Sequence, residues 1–243
     1  MRSSRRPATD RRSAGRGAWT RRAWRAARLA ASGLLLGPPL LILLFRFVPV
    51  PLTPLMVVRA AEGYGMRHEW VPYPRIAPAA ARSLIASEDN LFCQETFGFD
   101  TKALSDQIDV WWHGGRPRGA STITMQVARN LLLWQGRDWV RKLLEAWLTP
   151  QVALLWPKQR VLEVYLNIVE FGPGVFGIET AAQNVFHRPA ASLTEAQAAR
   201  LIAVLPAPLE WSAARPDPRV LWRETVIRRR VEQLGPLLDC ARR

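Results

Sequence analysis

A chain of 243 residues, 49% of them hydrophobic, is long enough to bury one sizeable core, and one folded domain is expected. Its formal charge of +14 raises nucleic acid as a partner, but residues 1–28 alone hold ten arginines against the single acid Asp10, leaving the rest only moderately basic. Two cysteines (Cys93, Cys240) and three histidines (His68, His113, His187) show no metal-ligand spacing, which argues against a zinc hydrolase; a disulfide between the cysteines stays open.

The Arg-rich tail, 1–28, leads into Leu29–Val48, which is uncharged up to Arg46. At about 1.5 Å per residue this stretch spans roughly 30 Å, the hydrocarbon thickness of a bilayer, and reads as a single transmembrane helix. A core helix or a cleaved signal peptide is the alternative. The length and the absence of a clear A-x-A cleavage site stand against both, and membrane helices tolerate a break such as Pro38-Pro39. The positive-inside rule puts the tail in the cytoplasm and the residues from about 50 onward across the membrane. Topology and attraction to anionic lipid account for the arginines, so no nucleic-acid partner is expected.

Residues 49–78 are rich in Pro, Gly and aromatics without a sustained period and read as an extended connector. From residue 79 to the end the pattern is helical. Ala79–Ser87, Thr122–Leu133, Val140–Leu148, Arg160–Val169, Glu195–Leu205 and Val220–Leu234 each carry apolar positions at i, i+3, i+4 and i+7, so a mainly α domain is expected over 79–243. The eleven tryptophans read equally as core or as an interfacial belt near a membrane.

Three clusters can carry chemistry. Ser87-Glu88-Asp89 places adjacent acids at the end of an apolar helical run, where burial would tune one of them for proton transfer; a solvated helix end is the plainer reading. Arg118-Gly119-Ala120-Ser121-Thr122 is a loop in which Ser121 or Thr122 can cap the next helix, and Gln126, Arg129 and Asn130 then share one polar, cationic face. In the third, Arg141 and Glu145 lie one helical turn apart with Lys142 beside them. This is either a surface ion pair or a phosphate site, since Arg offers bidentate geometry and Lys a point charge.

Taken in order, Glu88-Asp89-x-x-Phe92, Arg118-Gly-Ala-Ser-Thr-Ile-Thr-Met-Gln126 with Arg129-Asn130, Arg141-Lys142-x-x-Glu145, and Val161-Leu-Glu-Val-Tyr-Leu-Asn167 through Phe171-Gly-Pro-Gly174 to Gly177-Ile-Glu-Thr-Ala-Ala182 resemble the peptidoglycan glycosyltransferase family. The pattern is nearest to its monofunctional biosynthetic members from Gram-negative bacteria, and no penicillin-binding domain is expected after it. The chain departs from the family in two places. Cys93-Gln-Glu-Thr-Phe97 fills, one residue longer, a stretch that usually holds a His, and Met125 stands where Gln is usual.

The resemblance implies a lysozyme-like helical fold behind the single N-terminal helix, at the inner membrane with the catalytic domain periplasmic. It implies polymerisation of lipid II onto a growing lipid-linked glycan with inversion, Glu88 being the general base. Arg129, Arg141 and Lys142 would neutralise the leaving pyrophosphate. Glu145 would orient these cations, or bind a divalent ion (Mg or Mn) that assists departure, with no tightly bound cofactor otherwise. Ser121, Thr122, Gln126 and Asn130 would position phosphate or sugar hydroxyls, and Lys158 would add a phosphate contact. Division or elongation machinery is an expected partner. A glycan-cleaving lysozyme-type enzyme and a lipid II-binding domain without turnover are the rival readings; the first gives no reason for the cationic face after the Ser-Thr loop.

Overall fold

The computed structural model describes residues 11–115, 121–136 and 138–242. Residues 1–10 of the expected tail and Arg118, Gly119 and Ala120 of the second motif lie outside the described residues. The chain divides into two units, Met1–Leu41 and Ile42–Arg243.

The first unit is carried by α1, Arg11–Phe45. Its segment Trp24–Phe45, 22 residues of mean hydropathy 1.8, is long and apolar enough to cross a membrane by length and composition. Pro38 and Pro39 sit inside α1 without ending it, and Leu34, Leu35, Leu36 and Leu40 are exposed, as suits a helix that faces lipid. The helix starts earlier than the apolar run suggests and stops at Phe45 rather than Val48, and its residues from Ile42 onward belong to the second unit.

The second unit is a helical bundle with one small sheet. Its helices are α2 (Pro54–Ala61), α3 (Pro78–Glu88), α4 (Thr101–Trp112), α5 (Ile123–Leu132), α6 (Trp139–Leu155), α7 (Lys158–Ile168), α8 (Ile178–Phe186), α9 (Glu195–Ala203) and α10 (Pro218–Leu234). The sheet has the order β1-β3-β2, with β1 (Arg67–His68) parallel and β2 (Glu170–Gly172) antiparallel to β3 (Val175–Phe176). In α7, Val161, Leu162, Val164, Tyr165, Leu166 and Ile168 are all nearly or fully buried. The apolar positions cover most of the helix around one polar row of Gln159, Arg160, Glu163 and Asn167, which sets α7 deep in the bundle.

The expected connector 49–78 is instead part of this unit. Val50, Met56, Val71, Tyr73 and Ile76 enter the common core, and Thr53 caps α2 by accepting from the Met56 amide. The segment is held by Asn167, whose Oδ1 accepts from Val71 N and whose Nδ2 donates to Val71 O, both at 2.8 Å. A side-chain amide thus replaces the backbone pairing that a Pro- and Gly-rich stretch cannot make for itself, and no local periodicity advertises it.

The end of α1 that belongs to this unit is capped from α6 and α7. Trp156 Nε1 donates to Ile42 O at 2.7 Å, Arg160 donates to Phe45 O and to Val48 O, and Arg46 donates to Leu155 O. The bonds to Phe45 O and Leu155 O satisfy carbonyls that the C-termini of α1 and α6 leave without partners, and the bond to Ile42 O adds to the one from Arg46 N. Cys93 and Cys240 form a disulfide with Cα atoms 5.5 Å apart, which ties the loop after α3 to the end of the chain.

Candidate active site

Glu88 is the last residue of α3, and its carboxylate opens onto a cleft of about 390 Å3. The cleft is also lined by Ser121, Gln126, Arg129 and Asn130 from the loop before α5 and from α5 itself. A second, smaller recess of about 200 Å3 shares Glu88 and Ser121 and adds Asp89 and Thr122. Five of the candidate residues therefore meet at one place, with Thr122 at its margin.

Local chemistry explains the arrangement. Thr122 caps α5, accepting from Met125 N at 3.2 Å while its hydroxyl donates to Gly98 O at 2.6 Å. Asp89 Oδ2 accepts from Ile123 N at 2.9 Å, a carboxylate at the positive end of α5. Asp89 thus joins the first motif to the second, and it is only 8% exposed. Of the two adjacent acids it has the structural task, which leaves Glu88 to face the cleft. Gly98, with φ +76°, passes so close to Thr124 and Thr149 that a Cβ would lie 2.8 and 2.9 Å from their methyl groups.

Glu88 is held on both oxygens. Ser87 Oγ donates to Oε1 at 2.8 Å, and Gln126 Nε2 donates to Oε2 at 3.4 Å. Gln126 is in turn oriented by Tyr165, whose hydroxyl donates to its Oε1 at 2.8 Å. Burial raises the Tyr165 hydroxyl well above its usual range, so it stays a neutral donor. Arg129 Nε and Ser121 Oγ are buried with no partner among the described residues, although both residues line the cleft. Unspent donors beside a cleft are what an oxyanion requires.

Arg141, Lys142 and Glu145 do not line this cleft. They form their own cluster on α6, in which Arg141 donates to one Glu145 oxygen and Lys142 to the other. Glu145 is 1% exposed and Arg141 is buried, while Lys142 reaches solvent. With both oxygens engaged by cations, Glu145 orients them and has no free edge for a metal ion. Among the described residues no group of three His, Cys, Asp or Glu could form a protein cage.

Lys158 also points elsewhere. It donates to Phe92 O, lies 4.3 Å from the Phe92 ring centroid and faces Asp89 and Glu95, so it supports the first motif from below. Of the fourth-motif residues, Asn167 and Glu163 have the packing and hydrogen-bonding roles their apolar surroundings suggest, Glu163 pairing with Arg160. Tyr165 does more, since it orients a cleft residue.

Sequence reasoning missed three participants. Arg59 of α2 lines the cleft and donates to both oxygens of Glu170, another lining residue, and Arg223 of α10 approaches Glu88. Arg59 fell in the supposed connector. Arg223 sits in a helix crowded with arginines, where nothing local marks one of them.

A helical bundle whose cleft holds a doubly held carboxylate beside unspent cationic and hydroxyl donors has the make-up of an acid–base enzyme for an anionic substrate. Residues 56–232 match the Transglycosylase family, and the chain belongs to it. The fold is accordingly lysozyme-like. A Caulobacter vibrioides protein named biosynthetic peptidoglycan transglycosylase is 45% identical over 86% of this chain and 88% of its own. Proteins of the same name from Chromohalobacter salexigens (45% identical; 89% and 95%) and Ectopseudomonas mendocina (46%; 83% and 86%) are similar over comparable spans.

Proposed function

We propose that this protein is a peptidoglycan glycosyltransferase that polymerises lipid II into β-1,4 glycan strands, with Glu88 as general base. The observation that carries this reading is the Glu88 carboxylate, fixed on both oxygens and facing the cleft that holds Arg129 and Ser121. Family membership supplies the substrate class.

In the reaction, Glu88 takes the proton of the acceptor sugar hydroxyl as that oxygen bonds to the donor anomeric carbon. The bond from that carbon to the lipid pyrophosphate breaks, and its electron pair leaves with the phosphate oxygen. Arg129 meets the growing negative charge inside the cleft. The Arg141–Lys142–Glu145 cluster adds a cation on α6 where Lys142 reaches solvent, with Glu145 as the anchor. Among the described residues none form a cage for a metal, so a divalent ion that assists departure would be carried by the pyrophosphate and water.

The membrane reading has support from α6, whose first half has inverted polarity before Leu148 and Val152 enter the core. Its inner face buries Arg141 and Glu145, while Trp139, Leu143, Trp147 and Leu154 are exposed. Such an outward apolar stripe wants a non-aqueous neighbour, and tryptophans favour the bilayer interface. With the apolar helix Trp24–Phe45, this supports anchoring in the inner membrane with the catalytic unit periplasmic, where both lipid-linked substrates reside. Recruitment by division or elongation machinery belongs to the same reading.

The test is polymer formation from labelled lipid II by the full-length protein in detergent, beside Glu88→Gln. Glycan ladders from the wild type and a loss of about 10²–10⁴-fold in the variant are expected for removal of a general base. Lipid II binding without polymer from the wild type would establish a binding protein instead.

A further inference from the structure

We infer that Arg223, on the C-terminal helix α10, is a positioning residue for Glu88, and that a relay from Arg223 through Ser87 to the carboxylate sets the attack geometry. This rests on the reading of Glu88 as the general base. Arg223 Nη2 donates to Ser87 Oγ at 3.0 Å, and Ser87 Oγ donates to Glu88 Oε1 at 2.8 Å. The same Nη2 is 3.7 Å from Glu88 Oε1. The serine has one proton to give, so accepting from the guanidinium leaves that proton committed to the carboxylate.

The relay answers an electrostatic difficulty in the fold. Glu88 ends α3, and a carboxylate there faces the negative end of the helix dipole. Helix α10 brings two guanidiniums to that end. Arg223 reaches Ser87, and Arg230, two turns along, donates to Ala86 O at 3.5 Å, with buried Ile227 packed on the same face between them. Arg223 is itself located by donating from Nε to Ala203 O at 3.2 Å, at the end of α9.

Two features separate positioning from substrate binding. Arg223 does not line the cleft, and its guanidinium is engaged through both Nε and Nη2. The opposite oxygen of Glu88 has its own arm through Gln126 and Tyr165. The carboxylate is therefore gripped from both sides, and only the Gln126 arm comes from the motifs.

The experiment is steady-state polymerisation of labelled lipid II by the full-length protein in detergent, with melting temperatures, for wild type, Arg223→Gln, Arg223→Lys, Ser87→Ala and Glu88→Gln. Arg223→Gln is expected to lower kcat roughly 10–100-fold, the scale of a misplaced catalytic group, with KM for lipid II little changed. Arg223→Lys should recover part of the rate, because it restores charge without the fork. Ser87→Ala should lower kcat in the same way, and the double variant Arg223→Gln/Ser87→Ala should lose less than the product of the two single effects.

An unchanged kcat in Arg223→Gln, or a raised KM at constant kcat, overturns the proposal, the latter by making Arg223 a substrate contact. If Arg223→Gln fails to fold, Ser87→Ala decides: a lower kcat at an unchanged melting temperature supports the relay, and an unchanged kcat overturns it. An inactive wild type or an active Glu88→Gln would instead sink the general-base reading, whatever Arg223 does.

Discussion

Glu95 shows how one side chain ties pH to stability beside the site. It lies in the stretch where the chain departs from its family's usual histidine, and it is only 7% exposed. As a carboxylate it finds no donor among the described residues; as an acid it can donate to Asp89. Burial, and then the charge of Asp89, push its carboxyl up to about 8, against the opposing pull of Lys158. Asp100 adds to the upward push, and Asp89 is itself raised by burial. The folded chain therefore keeps a proton that the unfolded chain releases above about pH 4.3. Because the native state holds more protons in this window, stability falls as pH rises from there through about 8. The melting temperature of the wild type should decline from pH 5 to pH 8, and Glu95→Gln should flatten that decline by keeping a neutral donor. An equal slope in the variant would remove Glu95 as the cause. Asn167 makes a second prediction at this scale. Replacement by Leu leaves Val71 N–H and C=O buried and unpaired, at about 1–3 kcal/mol each, and chemical denaturation would read the loss.

Helix α5 carries three of the cleft's candidate residues, Gln126, Arg129 and Asn130, with Thr122 as its cap, and its first turn is where two motifs meet. Thr122 accepts from Met125 N and Asp89 accepts from Ile123 N, so the amides at the N-terminus are satisfied from the helix's own cap and from the first motif. Thr122→Ala should cost about 1 kcal/mol as a lost cap, and more if the freed Gly98 carbonyl finds no other donor. Thr122→Ser should recover most of this, and denaturant midpoints at constant slope would show both effects. The cap was legible in the sequence because Ser and Thr before an apolar periodic run have a local meaning. The partnership with Asp89 was not, since it joins residues 34 positions apart. Helix α6 gives the same lesson. Its Arg141–Glu145 spacing is readable, yet the pair faces inward while Trp139 and Leu143 face outward, the reverse of what periodicity implies for a helix in water.

For the molecule as a whole, the Cys93–Cys240 disulfide is the longest covalent constraint, bridging 147 positions. In the chain-entropy account, closing so long a loop stabilises the fold by on the order of 4–5 kcal/mol. A reducing agent, or a Cys93→Ser/Cys240→Ser pair, should therefore lower the melting temperature clearly. A shift of less than a degree would show that the α3–α10 packing holds the C-terminus unaided. The disulfide matters to the site because Cys93 follows the end of α3 that carries Glu88, while Cys240 follows α10, the helix that carries Arg223.

The apolar N-terminal segment, the helical class and the order of the motifs were all determined by the sequence itself, because each depends on spacing within a few turns of chain. Those same spacings marked the Glu88-Asp89 pair and the face of Gln126, Arg129 and Asn130 after the Ser121-Thr122 cap, and Glu88, Ser121, Gln126, Arg129 and Asn130 converge on one cleft. Tertiary structure alone decided which of the two adjacent acids faces that cleft, and that Lys158 turns instead toward Phe92. It also folded residues 49–78 into the core and brought Arg223 to Ser87 across 136 positions. The physical reason is common to all of these. Such contacts are made between faces of helices far apart in the chain, where burial and donor–acceptor pairing are settled by packing and leave no periodic mark on either partner.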